Sequence, residues 1–185
     1  MDLFSFFNKI NKISPDAENA LAEIVLEKHF AKNELVQNIG SSCKTIYIVK
    51  SGSARIFYYK DGVDVTEHFA FEKDMIVRAE SLFTGLPTSK GIQTMEETVF
   101  FAIDSEKLFQ LFDKHHDIER LFRIIVEREY VNTIKRIESL QFKSAKERYL
   151  ELLQTTNYLQ TIPLKHIASF LGITQVSLSR IRAEI

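Results

Sequence analysis

Leu164-Lys165-His166-Ile167-Ala168-Ser169-Phe170-Leu171-Gly172-Ile173-Thr174-Gln175-Val176-Ser177-Leu178-Ser179-Arg180-Ile181-Arg182-Ala183-Glu184-Ile185 reads as two short helices joined by a tight turn. Counting from Leu164, the small Ala168 stands fifth, where two crossed helices approach most closely. Gly172 stands ninth, where the turn needs a positive φ that glycine adopts without a Cβ clash. Ile167, Leu171, Ile173, Leu178 and Ile181 fall where the two helices face each other and the core. Thr174 is placed to cap the second helix, its hydroxyl accepting a free amide of the first turn. Gln175, Ser177, Ser179, Arg180 and Arg182 then occupy the opposite face. A short helix with a polar, basic outer face, braced on a crossed partner, suits the DNA major groove. The competing reading is an ordinary helical hairpin inside a core. So many positions matching in one register favour a helix-turn-helix.

The rest of the chain must carry something larger. With 185 residues, 45% hydrophobic, and 15 Phe, there is material for one large or two small packed domains. The single cysteine, Cys43, excludes an internal disulfide and any cysteine-ligated metal or iron–sulfur cluster within one chain. As a lone thiol beside Lys44 it is read as incidental before it is read as a redox sensor. The opening Met1-Asp2-Leu3-Phe4-Ser5-Phe6-Phe7-Asn8-Lys9 has no basic segment ahead of an apolar stretch. No run of about 18 apolar residues occurs, so a cytoplasmic protein without a membrane span is expected. The net charge of −1 hides a division: residues 143–185 carry +3, and residues 1–142 carry −4. The positive end coincides with the helix-turn-helix, as contact with phosphate requires. The excess is small, so one copy should hold DNA weakly.

Between the ends the chain changes character. Ser14, Pro15 and the apolar Ala20, Leu21, Ile24 and Val25 predict a helix over 15–31. From Glu34 to Ile103 the β-branched and aromatic runs 45–49, 54–59, 63–69 and 98–103 predict strands, with Asp61-Gly62 as a hairpin turn. Gly40, Gly52, Gly85 and Gly91 are expected at further turns. Short strands at this spacing suggest a small barrel or jelly roll. Asp104 or Ser105 caps a short helix to Phe112, and a long one follows from about Asp117 to Phe142. Its ridge of Phe122, Val126, Tyr130, Ile134 and Ile137, with Ile125 alongside, makes a wide stripe. A 25-residue helix is about 37 Å long, more than a small barrel covers, so these residues are expected to form a dimer interface. Ser144 and Glu147 form a capping box that starts a fresh helix to about Thr155.

A β-barrel, a long helix and a terminal helix-turn-helix resemble the CRP/FNR family of transcription regulators. The resemblance rests on Leu171-Gly172-Ile173-Thr174, on Leu178-Ser179-Arg180-Ile181-Arg182, and on the barrel pattern Tyr47-Ile48-Val49-Lys50-Ser51-Gly52. It implies an α+β fold with three parts: a cyclic-nucleotide-binding-like β-barrel (jelly roll) over 1–116, a dimerisation helix over 117–142, and a helix-turn-helix domain over 143–185. It also implies a homodimer whose partners are double-stranded DNA and RNA polymerase. Gln175 and Val176 then face base edges, and Arg180 matches the family's guanine-reading arginine. Thr174, Ser177, Ser179 and Arg182 hold phosphates. Relatives often carry a glutamate where Val176 stands, so a different half-site is expected. The chain stops where a β wing would begin, so wing contacts to phosphate are not expected.

In relatives that bind cyclic AMP, a Gly-Glu pair holds the ribose, and an Arg-Ser or Arg-Thr pair grips the phosphate. Aligned on Leu82-Phe83, those pairs become Arg78-Ala79 and Ser89-Lys90, and Glu80 sits one residue late for the ribose. The phosphate-gripping arginine is missing from its place, and a lysine does not reproduce its fork. An effector other than cyclic AMP, or none, is therefore expected, with Arg78, Ala79, Glu80, Ser89 and Lys90 as the pocket. Whether that pocket is open or filled by Phe83 and Leu86 stays undecided. No cofactor and no metal site are expected, since the histidines are scattered and His115-His116 point apart. No nucleophile–base pair, phosphate loop or zinc motif is present, which argues against an enzyme. A cyclic-nucleotide-responsive regulator and a protein-interaction module with a disused helix-turn-helix remain the alternatives.

Overall fold

Eight short strands form two antiparallel sheets, and the alternation along them explains how the layers stack. The computed structural model describes residues 1–155 and 157–185. In one sheet the order is β1 (Val25–Phe30), β8 (Thr98–Asp104), β3 (Thr45–Ser51) and β6 (Met75–Ile76). In the other it is β2 (Leu35–Gln37), β7 (Gly91–Thr94), β4 (Ala54–Lys60) and β5 (Val63–Ala70). Along β3, Tyr47 and Val49 face the second sheet and join Ile56, Ile92, Phe100 and Ala102 there. Ile46 and Ile48 belong to the core on the other side. A strand with two dry faces needs a cover on each. The second cover is helical: α1 (Leu3–Ile10), α2 (Pro15–Ala22), α4 (Ser105–Phe112) and the first half of α5 (His116–Phe142). A further short helix, α3 (Ala79–Thr84), lies between β6 and β7 in the chain.

Most local signals act as their chemistry requires. Ser14 accepts the Ala17 amide at 3.3 Å to cap α2, and Asp104 accepts the Lys107 amide at 2.9 Å to cap α4. Asp61 and Gly62 both take positive φ, 52° and 78°, in the two-residue loop that pairs Lys60 with Val63. The expected helix over 15–31 is corrected: α2 ends at Ala22, and Val25–Phe30 is a strand paired with β8 from Val25–Ile103 to Phe30–Thr98. The helical spacing of Leu21 and Val25 lost to a ladder that satisfies six residues' backbone and suits β-branched Val25. Gly91 is also corrected, from a turn to the first residue of β7. A Cβ there would stand 2.7 Å from the Phe57 ring, so glycine lets the strand approach it.

The long helix divides its faces along its length. Ile118, Leu121, Phe122 and Ile125 are buried in the chain's own core. Phe122 packs against Phe7 and Phe112 with ring centroids 5.8 and 5.9 Å apart. Phe122 and Ile125 were expected at a partner interface; α1 and α4 flank this half of α5 and take both. Beyond Ile125 the helix's large apolar residues turn outward, and Val126, Tyr130, Val131, Ile134, Ile137 and Leu140 are exposed. The capping box forms as expected, with the Ser144 amide donating to Glu147 at 2.7 Å and the Glu147 amide donating to Ser144 Oγ at 3.3 Å. It starts α6 (Ala145–Thr155), followed by a single 3₁₀ turn over Asn157–Gln160, then α7 (Leu164–Phe170) and α8 (Gln175–Ala183).

Gly52 turns β3 into β4 at φ 88°, and a Cβ on it would stand 2.6 Å from the Glu97 carbonyl oxygen. Gly40, at φ 85°, has open space around it. Gly52→Ala should therefore cost more than about 2 kcal/mol in chemical denaturation, and Gly40→Ala only about 1 kcal/mol. Equal losses would mean that backbone angle alone, and not the crowding at Glu97, sets the requirement.

Candidate nucleic-acid interface and effector cavity

The turn between α7 and α8 is built from backbone hydrogen bonds. Gly172, at φ 70°, donates to the Ser169 carbonyl at 3.0 Å, and Ile173 donates to the Ala168 carbonyl at 3.0 Å. Ala168, Leu171 and Leu178 are fully buried where the helices cross, together with Ile167. Thr174 caps α8 by accepting the Ser177 amide at 3.1 Å, and its hydroxyl also lies 2.9 Å from the Ser177 hydroxyl. The outer face of α8 is solvent-facing: Gln175, Val176, Ser179, Arg180 and Arg182 are exposed, and Ser177 is half-buried. Ser179 donates back to the Gln175 carbonyl at 3.0 Å, which ties up part of its hydroxyl. Among the described residues neither Arg180 nor Arg182 has an ion pair. Gln175, Val176 and Arg180 thus stand on one rigid, unobstructed ridge.

Sequence reasoning did not find what holds this ridge. The α7 helix lies against β5, the free edge of its sheet, and the contact is centred on Arg55 of β4. Arg55 is 2% exposed and bonds Asp64 through both carboxylate oxygens, at 2.5 and 2.6 Å. It also donates to Gln93 at 3.1 and 2.8 Å and to Thr66 Oγ1 at 3.0 Å. Its Nη1 lies 3.0 Å from His166 Nδ1 in α7. A guanidinium has no acceptor, so His166 accepts at Nδ1 and carries its proton on Nε2. Burial, then the Arg55 charge, lower the His166 pKa to about 4. Beside it the Thr66 amide donates to Ser169 Oγ at 3.0 Å, and that hydroxyl donates to the His166 carbonyl at 3.1 Å. Phe69 and Phe170 pack with centroids 5.0 Å apart. The far end of α7 is closed by two arginines. Arg136 of α5 sits 3.8 Å over the Phe170 ring and donates to its carbonyl, and Arg148 donates to the Leu171 carbonyl at 2.9 Å. Burial, then the Arg148 charge, lower the Arg136 pKa to about 10. No local spacing signals this seam, because its members lie on β4, β5, β7, α5, α6 and α7.

The second candidate is a cavity of about 1180 Å³ between the barrel, α3 and α5. Arg78, Ala79 and Glu80 line it as expected. Ser89 is exposed and stands off its wall, and Lys90 reaches only its margin, where it pairs with Glu67 and lies 5.6 Å from the Tyr58 ring centroid. The cavity is open. Phe83 stacks on Phe109 at its rim with centroids 6.4 Å apart, and Leu86 is exposed and is not part of the wall. Among the described residues no group of three histidine, cysteine or carboxylate side chains is arranged to hold a metal ion. None of the described helices is long and apolar enough to cross a membrane.

Two facing sheets, a long helix bridging a cavity, and a terminal helix-turn-helix define a known class. Residues 27–115 match the cyclic nucleotide-binding domain family. The chain superposes on FixK2 from Bradyrhizobium japonicum with a TM-score of 0.75 and 18% identity, covering 87% of this chain and 84% of that one. A CRP/FNR-family protein from Eubacterium rectale gives 0.74 and 18%, over 97% and 87%. The c-di-GMP-responsive global regulator CLP of Xanthomonas campestris gives 0.70 and 15%, over 92% and 91%. No curated protein sequence matches this chain significantly. At these identities the likeness is one of fold. Residues 27–115 are thus similar to the cyclic nucleotide-binding domain family, and the chain shares the fold of the CRP/FNR-family structures.

The depressed His166 makes the seam sensitive to acid in a definite direction. The unfolded chain takes up this proton near pH 6.5, whereas the folded chain resists until about pH 4. The stability it contributes is whole above pH 6.5 and drains away as the pH falls from 6.5 to 4. His166→Asn keeps an acceptor for Arg55 without titrating. Urea denaturation of the variant should show a loss smaller than the native chain's by about 2 kcal/mol across that window. Parallel curves would mean that His166 is not held neutral at the seam.

Proposed function

We propose that the chain is a homodimeric, sequence-specific DNA-binding transcription regulator whose barrel holds a small effector other than cyclic AMP. The observation that carries the reading is the outer face of α8: Gln175, Val176 and Arg180 exposed on a capped helix, the arginine without an ion pair among the described residues. Gln175 has the donor and acceptor to pair with adenine N6 and N7, Val176 can touch a thymine methyl, and Arg180 forks onto guanine O6 and N7. Thr174, Ser177, Ser179 and Arg182 flank them at positions suited to phosphate. RNA polymerase is the partner through which such a regulator acts.

Dimerisation is supported by Val126, Tyr130, Ile134 and Ile137, an exposed apolar ridge along α5 that begins at the cavity. A monomer with +3 on its C-terminal 43 residues neutralises few phosphates, and doubling the contacts raises affinity steeply. Against a cyclic-nucleotide effector stand Ser89, off the cavity wall, and Lys90, already spent on Glu67.

Selection of bound sequences from random duplex DNA tests the reading. It should return a palindrome whose half-sites lie about one helical turn apart, roughly 34 Å. Absence of any enriched palindrome from the protein, alone and with cell metabolites, would overturn it. On the selected operator, Arg180→Ala should cost roughly 1–3 kcal/mol and relax one base preference, as read by fluorescence anisotropy. Ile134→Asp combined with Ile137→Asp should sediment as a monomer while the native chain sediments as a dimer.

A further inference from the structure

We infer that the cavity between the barrel and α5 receives an organic monoanion with a bulky apolar, preferably aromatic, body, its carboxylate held by Arg78. The inference names the chemical class for the effector site proposed above. It rests on that reading for its regulatory consequence only, since occupancy can be measured without DNA.

Arg78 lines the cavity and is only 6% exposed, yet it is poorly served. One Nη donates to Glu67 at 3.3 Å, and its Nε has no hydrogen-bond partner. Its other Nη makes no hydrogen bond among the described residues. Arg55, buried to the same degree, uses all of its nitrogens. Burying a guanidinium with most of its donors idle is costly, so a native site that keeps one has a use for it. The single partner is also shared: Lys90 pairs with the same Glu67, so two cations face one carboxylate. Among the described residues none of the wall's other acids pairs with Arg78: Glu80 is exposed, and Glu119 lies 3.5 Å from His116. Asp74 accepts the Phe71 amide at 2.9 Å, Glu127 pairs with Arg123, and Glu129 accepts the Asn132 amide at 3.5 Å. Arg78 therefore keeps a buried, unused guanidinium edge on the cavity wall.

The walls set the rest of the ligand. Ile56, Phe69, Ile76, Phe122, Val126 and Tyr130 offer hydrocarbon and ring faces. A volume of about 1180 Å³ accepts a body of ten or more heavy atoms. A phosphate or nucleotide asks for several converging donors, whereas Arg136, the half-buried guanidinium of the wall, is turned to the Phe170 carbonyl and ring. A carboxylate matches a single guanidinium edge in geometry and charge. Such a ligand would touch Arg78 on the barrel and, at its other end, Val126 and Tyr130, where the exposed ridge of α5 begins.

The test uses the full chain with 8-anilinonaphthalene-1-sulfonate, an apolar fluorescent anion, as reporter. Displacement is compared for 1-naphthaleneacetate and its neutral isostere 1-naphthaleneacetamide. One reporter should bind per chain, and the carboxylate should displace it at least about tenfold better than the amide. Arg78→Met should abolish that difference, and Arg78→Lys should retain part of it. Equal displacement by the two isosteres on the native chain would overturn the proposal, and needs no variant to fold. So would a difference that survives Arg78→Met, the absence of a single reporter site, or displacement by micromolar cyclic AMP. None of these outcomes bears on whether α8 binds DNA.

Discussion

A guanidinium does not give up its proton inside a protein, so a buried arginine must be answered on every side. Arg55 meets that demand by drawing on Gln93 of β7, Asp64 and Thr66 of β5, and His166 of α7. Three strands of one sheet and the first helix of the helix-turn-helix are thereby fixed at a single point. Each partner also finds its own role there. Asp64 is held below the ordinary carboxylate range by Arg55 against the opposing effect of burial, and His166 is held neutral. The apolar contact of Phe69 with Phe170 adds surface but no direction, whereas the Arg55–His166 and Thr66–Ser169 hydrogen bonds are directional and orient α7 on the sheet. The position of α8 relative to the barrel follows from that orientation.

How much of this was legible in the sequence depends on the range over which the cause acts. The turn at Gly172, the Thr174 cap and the Ser144–Glu147 box are set by atoms within a few residues, and all read correctly. The face that α8 turns outward was legible for the same reason. The seam that seats it was not: Arg55 and His166 are 111 positions apart, and nothing near either announces the other. The error at Val25 has the same origin, because its strand exists only by virtue of β8. Along α5 the sequence marks one wide apolar stripe, which the structure divides into a buried half and an exposed half. Which residues each would take depended on where α1 and α4 come to rest, and that assigned Phe122 and Ile125 to the core.

Two buried arginines in one barrel make an instructive pair. Arg55 is saturated, and its charge is matched by a carboxylate it grips with both arms. Arg78 shares its only carboxylate and leaves donors idle. Desolvation costs the fold something in both cases, but only the first recovers it internally. The sequence treats the two alike, each being an arginine in or beside a β segment. The hydrogen-bond inventory separates a structural group from one that faces an open cavity.

The seating of α7 has a consequence for how this architecture can change. The β5 strand is the outer strand of its sheet, and an uncovered outer strand offers its backbone to any neighbouring chain. Here Ser169 takes up the Thr66 amide, and α7 lies along the strand as a guard. The terminal helices are therefore not a detachable module. A proteolytic cut at the α5–α6 junction would leave a barrel with a bare sticky edge and Arg55 stripped of its histidine partner. Exchange of the terminal unit between relatives would have to carry its own histidine and serine, or invent a new guard. Whatever selection acts on operator reading, the inner face of α7 is held in place by the solubility of the barrel.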